Sequence, residues 1–260
     1  MTIHATDLNL FCLAWADFVR GMIPHHQGAI AMCDVLLNTA QHGRTVEASL
    51  LTMCNGGVKP SQTAEVTEMT TWLTSRTHAV AAACPDHSAM AGMAGMAGMA
   101  GMSGMAMGCG DLTSWSSKQF EAANMEMHKG MSIKFTCDPN EDFVRGMIPH
   151  HQGAIDMCKV LTNTCGHGQT VDGELATLCG AITTAQTTEI ATLTAWLESR
   201  SKPVAPACPS MSMAMEMGNG CGDLVSWSSK AYIAANTVMH NAMGISYTGN
   251  PNTGTTTEHH

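Results

Sequence analysis

The sequence predicts an all-α protein made of two tandem antiparallel helical bundles. Three observations predict it. Helix-forming Ala, Met, Leu and Gln dominate, while aromatics make up only 5% of the chain. Long stretches keep helical spacing, as in Gln62, Glu65, Met69 and Trp72. Finally, Asp17 to Cys33, DFVRGMIPHHQGAIAMC, returns at Asp142 to Cys158 as DFVRGMIPHHQGAIDMC, with Ala31 against Asp156 the sole difference. In a chain of 260 residues such a repeat marks two units of ordinary domain size, 1–136 and 137–260.

The first helix is expected from about Asp17 to Ala40, closing at the His42-Gly43 turn that His167-Gly168 matches. Its second copy should start at Asp138-Pro139-Asn140-Glu141, a capping box with proline in the first turn. Pro149 and its equivalent Pro24 then fall inside helices and kink them. A second helix returns from about Thr45 to Arg76, where SQTAEVTEMTTWLTSR answers AQTTEIATLTAWLESR. The offset between copies is 125 at Asp17 and Asp142 but 124 at Gln62 and Gln186. Lys59-Pro60 interrupts the first copy only, and a kink is expected there. Third helices should run from Trp115 to about Lys134 and from Trp227 to about Tyr247.

Eleven cysteines, ten of them falling into five equivalent pairs, point to a disulfide framework and an oxidising compartment, extracellular or periplasmic. In an antiparallel hairpin about Gly43, Cys33 and Cys54 stand nearly level and should pair, as should Cys158 and Cys179. Cys84 with Cys109 and Cys208 with Cys221 are expected to bracket the methionine-rich loops at 87–108 and 210–220. Cys12, Cys137 and Cys165 stay unassigned. MTIHATDLNLFCLAW lacks a basic n-region and a small-residue cleavage site, so any export signal is expected to be removed or absent. No apolar run approaches the roughly 20 residues of a membrane span. A formal charge of -9 disfavours nucleic acid as a partner and is compatible with cations.

Drift between two copies ordinarily exchanges core aliphatics and scrambles polar residues. Here two adjacent histidines, a glutamine and two methionines are held. On a helix, His25 and His26 flank Met22 at roughly 60° to one side and 40° to the other, with Met32 further along on the His25 side. His150, His151, Met147 and Met157 repeat the arrangement. Imidazoles beside thioethers suit a soft, low-coordinate cation, Cu(I) or Ag(I), better than Zn(II) or Mg(II). The plain alternative is a core helix whose histidines are satisfied by backbone or water. On the third helices, Met127, His128 and Met131, with Met239, His240 and Met243, are expected to face the His-His helix across the bundle.

FVRGMIPHHQGAI, the Q-x-x-E-(I/V)-x-x-(M/L)-x-x-W-L helix, a Met/Gly loop and a further Met-His helix together resemble the DUF305 family, nearly the whole chain twice over. That resemblance implies a ferritin-like helical fold and exported copper binding or tolerance. His25, His26, His150 and His151 match the family's His pair, and Met22, Met32, Met147 and Met157 its flanking methionines. The chain departs at Met127-His128 and Met239-His240, where a second His pair would lie, and at Leu193, where a methionine would. Di-iron redox chemistry needs inward Glu-x-x-His motifs, which the chain lacks, so a binder rather than an enzyme is expected. The rival expectation is an assembly protein of disulfide-tied bundles that forms homo-oligomers or filaments through an odd cysteine.

Overall fold

The computed structural model describes residues 14–78, 109–110, 114–164, 172–204, 221–222 and 224–247. Among these, the chain is helical apart from four two-residue strands. Helix α1 is Ala14–Asn38, followed by a 3-10 turn at Thr39–His42 and by Gly43 in the left-handed region (φ 72°), its N–H donating to Ala40 O. The return limb is α2 (Ala48–Thr52), a π turn (Met53–Val58) and α3 (Lys59–Ser75). Then come α4 (Trp115–Met131), α5 (Pro139–Asn163), α6 (Gly173–Glu198) and α7 (Trp227–Met243). Strand β1 (Cys109–Gly110) pairs in parallel with β4 (Ser246–Tyr247), and β2 (Lys134–Phe135) with β3 (Cys221–Gly222). No described helix is long and apolar enough to cross a membrane.

The helices depart from expectation at their ends, each time for a local reason. Pro139 does open α5, and the Asp138 carboxylate accepts from Asn140 N–H at 3.0 Å. The capping box is not completed, because Glu141 is engaged by Arg145 at 2.6 Å and Lys202 at 2.9 Å, and a cation outcompetes a backbone amide. Helices α4 and α7 stop at Met131 and Met243 rather than at Lys134 and Tyr247. Ile133 N–H bonds Met131 O, and Ile245 N–H bonds Met243 O, both at 2.8 Å. These tight turns peel the chain off the helix axis and put Ile133, Phe135 and Ile245 into the core.

The π turn explains the change of offset. From Cys54 to Gln62 the first copy spans one residue more than the second does from Cys179 to Gln186. One extra residue inside a helix is what a π turn absorbs, and it falls at Met53–Val58, immediately before Lys59-Pro60. The anticipated interruption at Lys59-Pro60 is therefore a widened turn just upstream. The second copy, without the insertion, is one unbroken helix.

Each return limb is stapled to its own His-bearing helix, Cys33 to Cys54 (Cα–Cα 5.5 Å) and Cys158 to Cys179 (5.3 Å), as the hairpin register requires. Replacing Cys33 and Cys54 by alanine should lower the unfolding free energy by about 3 kcal/mol for a loop of this length. Urea denaturation measures it. A loss under about 1 kcal/mol would place the hairpin's cohesion in packing alone.

The third helices cross over. α4 packs along α5, and α7 along α1, so each third helix lies chiefly on the His-bearing helix of the other repeat. α1 and α5 also pack on each other at the centre. Reciprocal ties seal the arrangement. Arg76 bonds Asp172 (3.1 Å) and Glu174 (3.0 Å), while Arg200 and Trp196 Nε1 both engage Glu47, the latter at 3.0 Å. Asp172 caps α6 and Glu47 precedes α2, so each return limb's last arginine meets the start of the other. The repeats are related by an approximate two-fold axis that runs through the core.

Candidate metal centre

The axis passes between His25 and His150. Their rings stand 3.8 Å apart, and each Nε2–H donates to the other's backbone carbonyl at 2.9 Å. A carbonyl can only accept, so both imidazoles carry their proton on Nε2 and leave Nδ1 as a bare lone pair. Both side chains are fully buried, and neither Nδ1 has a partner among the described residues.

The two histidines of a pair part company. His25 and His26 rings are 5.9 Å apart, and so are those of His150 and His151. Within its own repeat, His26 Nε2 meets Glu65 Oε2 at 2.6 Å, which again leaves Nδ1 bare. Glu189 Oε2 lies 2.8 Å from His151 Nε2, but too obliquely to form a good hydrogen bond, so the second tie is the looser one. A carboxylate or carbonyl on one ring nitrogen is the usual device for aiming the other at a metal. Met22 and Met147, both fully buried, lie by helical phase nearer His26 and His151. Met32 and Met157 lie on the side of His25 and His150.

Glycines bracket each inner histidine, one turn before and one turn after. A Cβ at Gly21 would come 3.0 Å from the Met157 methyl, and one at Gly28 would run into Met239 Sδ. In the mirror arrangement, a Cβ at Gly146 would come 2.9 Å from the Met32 methyl and one at Gly153 2.7 Å from Met127 Sδ. The absent side chains are what let thioethers lie against the backbone beside His25 and His150.

His128 and His240, from α4 and α7, form a second ring pair with centroids 3.6 Å apart. Both are buried and neither Nε2 has a partner. Met131 and Met243, one turn on, are buried with them. Burial pushes His128 down to about 2, with the His240 charge adding to it, and burial alone holds His240 at about 4. Burial, seconded by neighbouring imidazoles, also keeps His25 and His150 well below the ordinary histidine range. All four are neutral at neutral pH, the state in which imidazole binds metal.

Sequence reasoning missed the amides. Gln62 and Gln186 are buried with both polar atoms unpartnered, and so are the Oδ1 atoms of Asn124 and Asn236. Each recurs at the equivalent place in the other repeat, Gln in the Q-x-x-E line and Asn in the shared AAN before the Met-His pair. That recurrence was the available signal. Among the described residues, no three His, Cys, Asp or Glu side chains converge to hold a metal by themselves. The methionine loops and the side chains of Cys84, Cys109, Cys208 and Cys221 lie outside the described residues.

Compared with known proteins, the chain matches the family model described as Domain of unknown function (DUF305) over residues 16–134 and 140–243. No curated protein matches it. Among solved structures it is similar to CopM in the Cu(II)-bound form, at 24% identity over 70% of this chain and 95% of that one, with a TM-score of 0.43. It is also similar to a DUF305 protein from Streptomyces coelicolor, at 20% identity over 73% and 94% of the two chains, with a TM-score of 0.46.

Proposed function

Because this chain belongs to the DUF305 family in two tandem copies, we propose that it binds copper as Cu(I), or its soft congener Ag(I), and sequesters or carries it outside the cytoplasm. One observation carries the reading: among the described residues, four buried imidazoles leave their Nδ1 atoms without a partner in a core lined with thioethers. Leaving a buried acceptor unpaired costs about 1–3 kcal/mol each, and the same orphaned atoms recur in both copies. A bound cation would satisfy them. The donor set fits a soft ion: thioether sulfur adds affinity for Cu(I) or Ag(I) and little for Zn(II). His25, His26, His150 and His151 would supply nitrogen, and Met32, Met127, Met157 and Met239 sulfur. His128 and His240, with Met131 and Met243, form a further candidate pair. Disulfides support an exported location. The role is that of a binder, without a catalytic constellation to propose.

Loading the oxidised protein anaerobically with Cu(I), Ag(I) or Zn(II), followed by desalting and metal analysis, tests this. Copper and silver should stay bound against a competing chelator, with affinities on the order of a hundredfold or more above that for Zn(II). Equal retention of Zn(II) would sink the soft-cation reading.

A further inference from the structure

The crossing of the third helices decides which methionines can serve which histidine. By sequence alone, His25 would be served by Met22 and Met32 of its own helix. Instead, the glycine one turn before His25 receives Met157, and the glycine one turn after it receives Met239, both from the second repeat. His150 is bracketed by Met32 and Met127 of the first repeat. Met32 therefore reaches away from the histidine of its own helix toward Gly146. The bare, fully buried Nδ1 atoms of His25 and His150 are the independent sign that a ligand belongs between these groups.

We infer that the thioethers serving each inner histidine come from the other repeat: Met157 and Met239 for His25, Met32 and Met127 for His150. The inference rests on the copper reading above and deepens it. Each site is then incomplete without the opposite half of the chain, and neither repeat carries a site of its own around its inner histidine. The glycines at 21, 28, 146 and 153 act as positioning residues, keeping the helix surface open to sulfur. Gly28 and Gly153 admit Sδ itself, so Met239 and Met127 are the stronger donors of each set.

The test uses the full chain. His150→Phe leaves His25 as the only inner imidazole, and Met239→Leu or Met127→Leu is added to it. Cu(I) affinity is read by anaerobic competition with a chromogenic chelator. Met239→Leu should weaken the tightest site on the order of tenfold, whereas Met127→Leu should change it by less than about twofold. In a His25→Phe chain the two methionines should exchange roles. Equal effects, or a larger effect of Met127→Leu beside His25, would overturn the crossed assignment while leaving copper binding intact. A parent chain that retains no Cu(I) would instead overturn the functional reading, and this inference with it. A second measurement needs no methionine substitution. In the His150→Phe chain labelled with methyl-13C methionine, Ag(I) should move the Met157 and Met239 signals and leave Met32 and Met127 in place. Movement of the latter pair alone, or of all four alike, would overturn it.

Discussion

Metal-free protein is expected to lose about 4 kcal/mol of stability per pH unit below pH ~6.5. Four deeply buried histidines carry most of the effect, with the more exposed His78 lowered in the same direction: His25 and His150, held well below the ordinary range, His128 at about 2 and His240 at about 4. Below the unfolded pKa of ~6.5 the unfolded chain takes up a proton at each, while the folded chain does not. Stability is therefore whole above that pH and falls as pH drops, each group contributing about 1.4 kcal/mol per unit. Asp142 acts in the opposite sense. Burial raises it to about 7 against Thr136 N–H and Oγ1, which donate at 2.8 and 3.0 Å. Between pH ~4 and 7 its folded carboxyl holds a proton that the unfolded one releases, which leaves a net uptake of about three protons on unfolding. Urea midpoints at pH 7, 6 and 5 measure the slope. A midpoint that stays level would mean that the imidazoles are charged or solvated in the folded state.

The same burial alters the expected pH dependence of binding. Free imidazoles would lose metal as pH falls through ~6.5. With these four held lower, Cu(I) affinity at sites built on His25, His150, His128 or His240 should stay level to about pH 5 for as long as the chain remains folded.

The second large effect is a double substitution that trades function for stability. His25→Phe with His150→Phe keeps two rings packed at the axis and removes both bare Nδ1 atoms. Each unpaired buried acceptor costs about 1–3 kcal/mol, so the metal-free protein should gain about 2 kcal/mol net after the two lost Nε2–H donations and the slightly larger rings. Cu(I) affinity at the axis should drop on the order of a hundredfold or more. The acid slope should also fall to about a third, since the net uptake drops from about three protons to about one once two of the four histidines are gone while Asp142 remains. Denaturation and chelator competition on the same samples read all three. Unchanged copper affinity would make the inner pair structural.

Much of this was legible in the sequence, because it depends on local rules. The near-identical stretches gave the two His-bearing helices, Gly43 the turn, and hairpin symmetry the Cys33–Cys54 and Cys158–Cys179 bridges. The one-residue change of offset marked the extra residue, though not that a π turn would take it up. What could not be read was which repeat each third helix would join. Phe120 to His128 has the same helical spacing whichever neighbour covers it, so only the packing on Gly28 and Gly153 decides. For the same reason a helical projection placed His25 and His26 on one face. They serve different neighbours, His150 across the axis and Glu65 at the side, because an approximately 100° step is wide enough to straddle a seam between two helices.

The crossed third helices also bear on how the chain is made. The surface of α1 that α7 covers is complete about 190 residues before α7 begins. At a synthesis rate of roughly 5–20 residues per second, that face waits about 10–40 s for its cover. During that interval the part of α1 that α7 will bury stays open, a surface for whatever holds nascent chains, while the faces that α3 and α5 cover can already close.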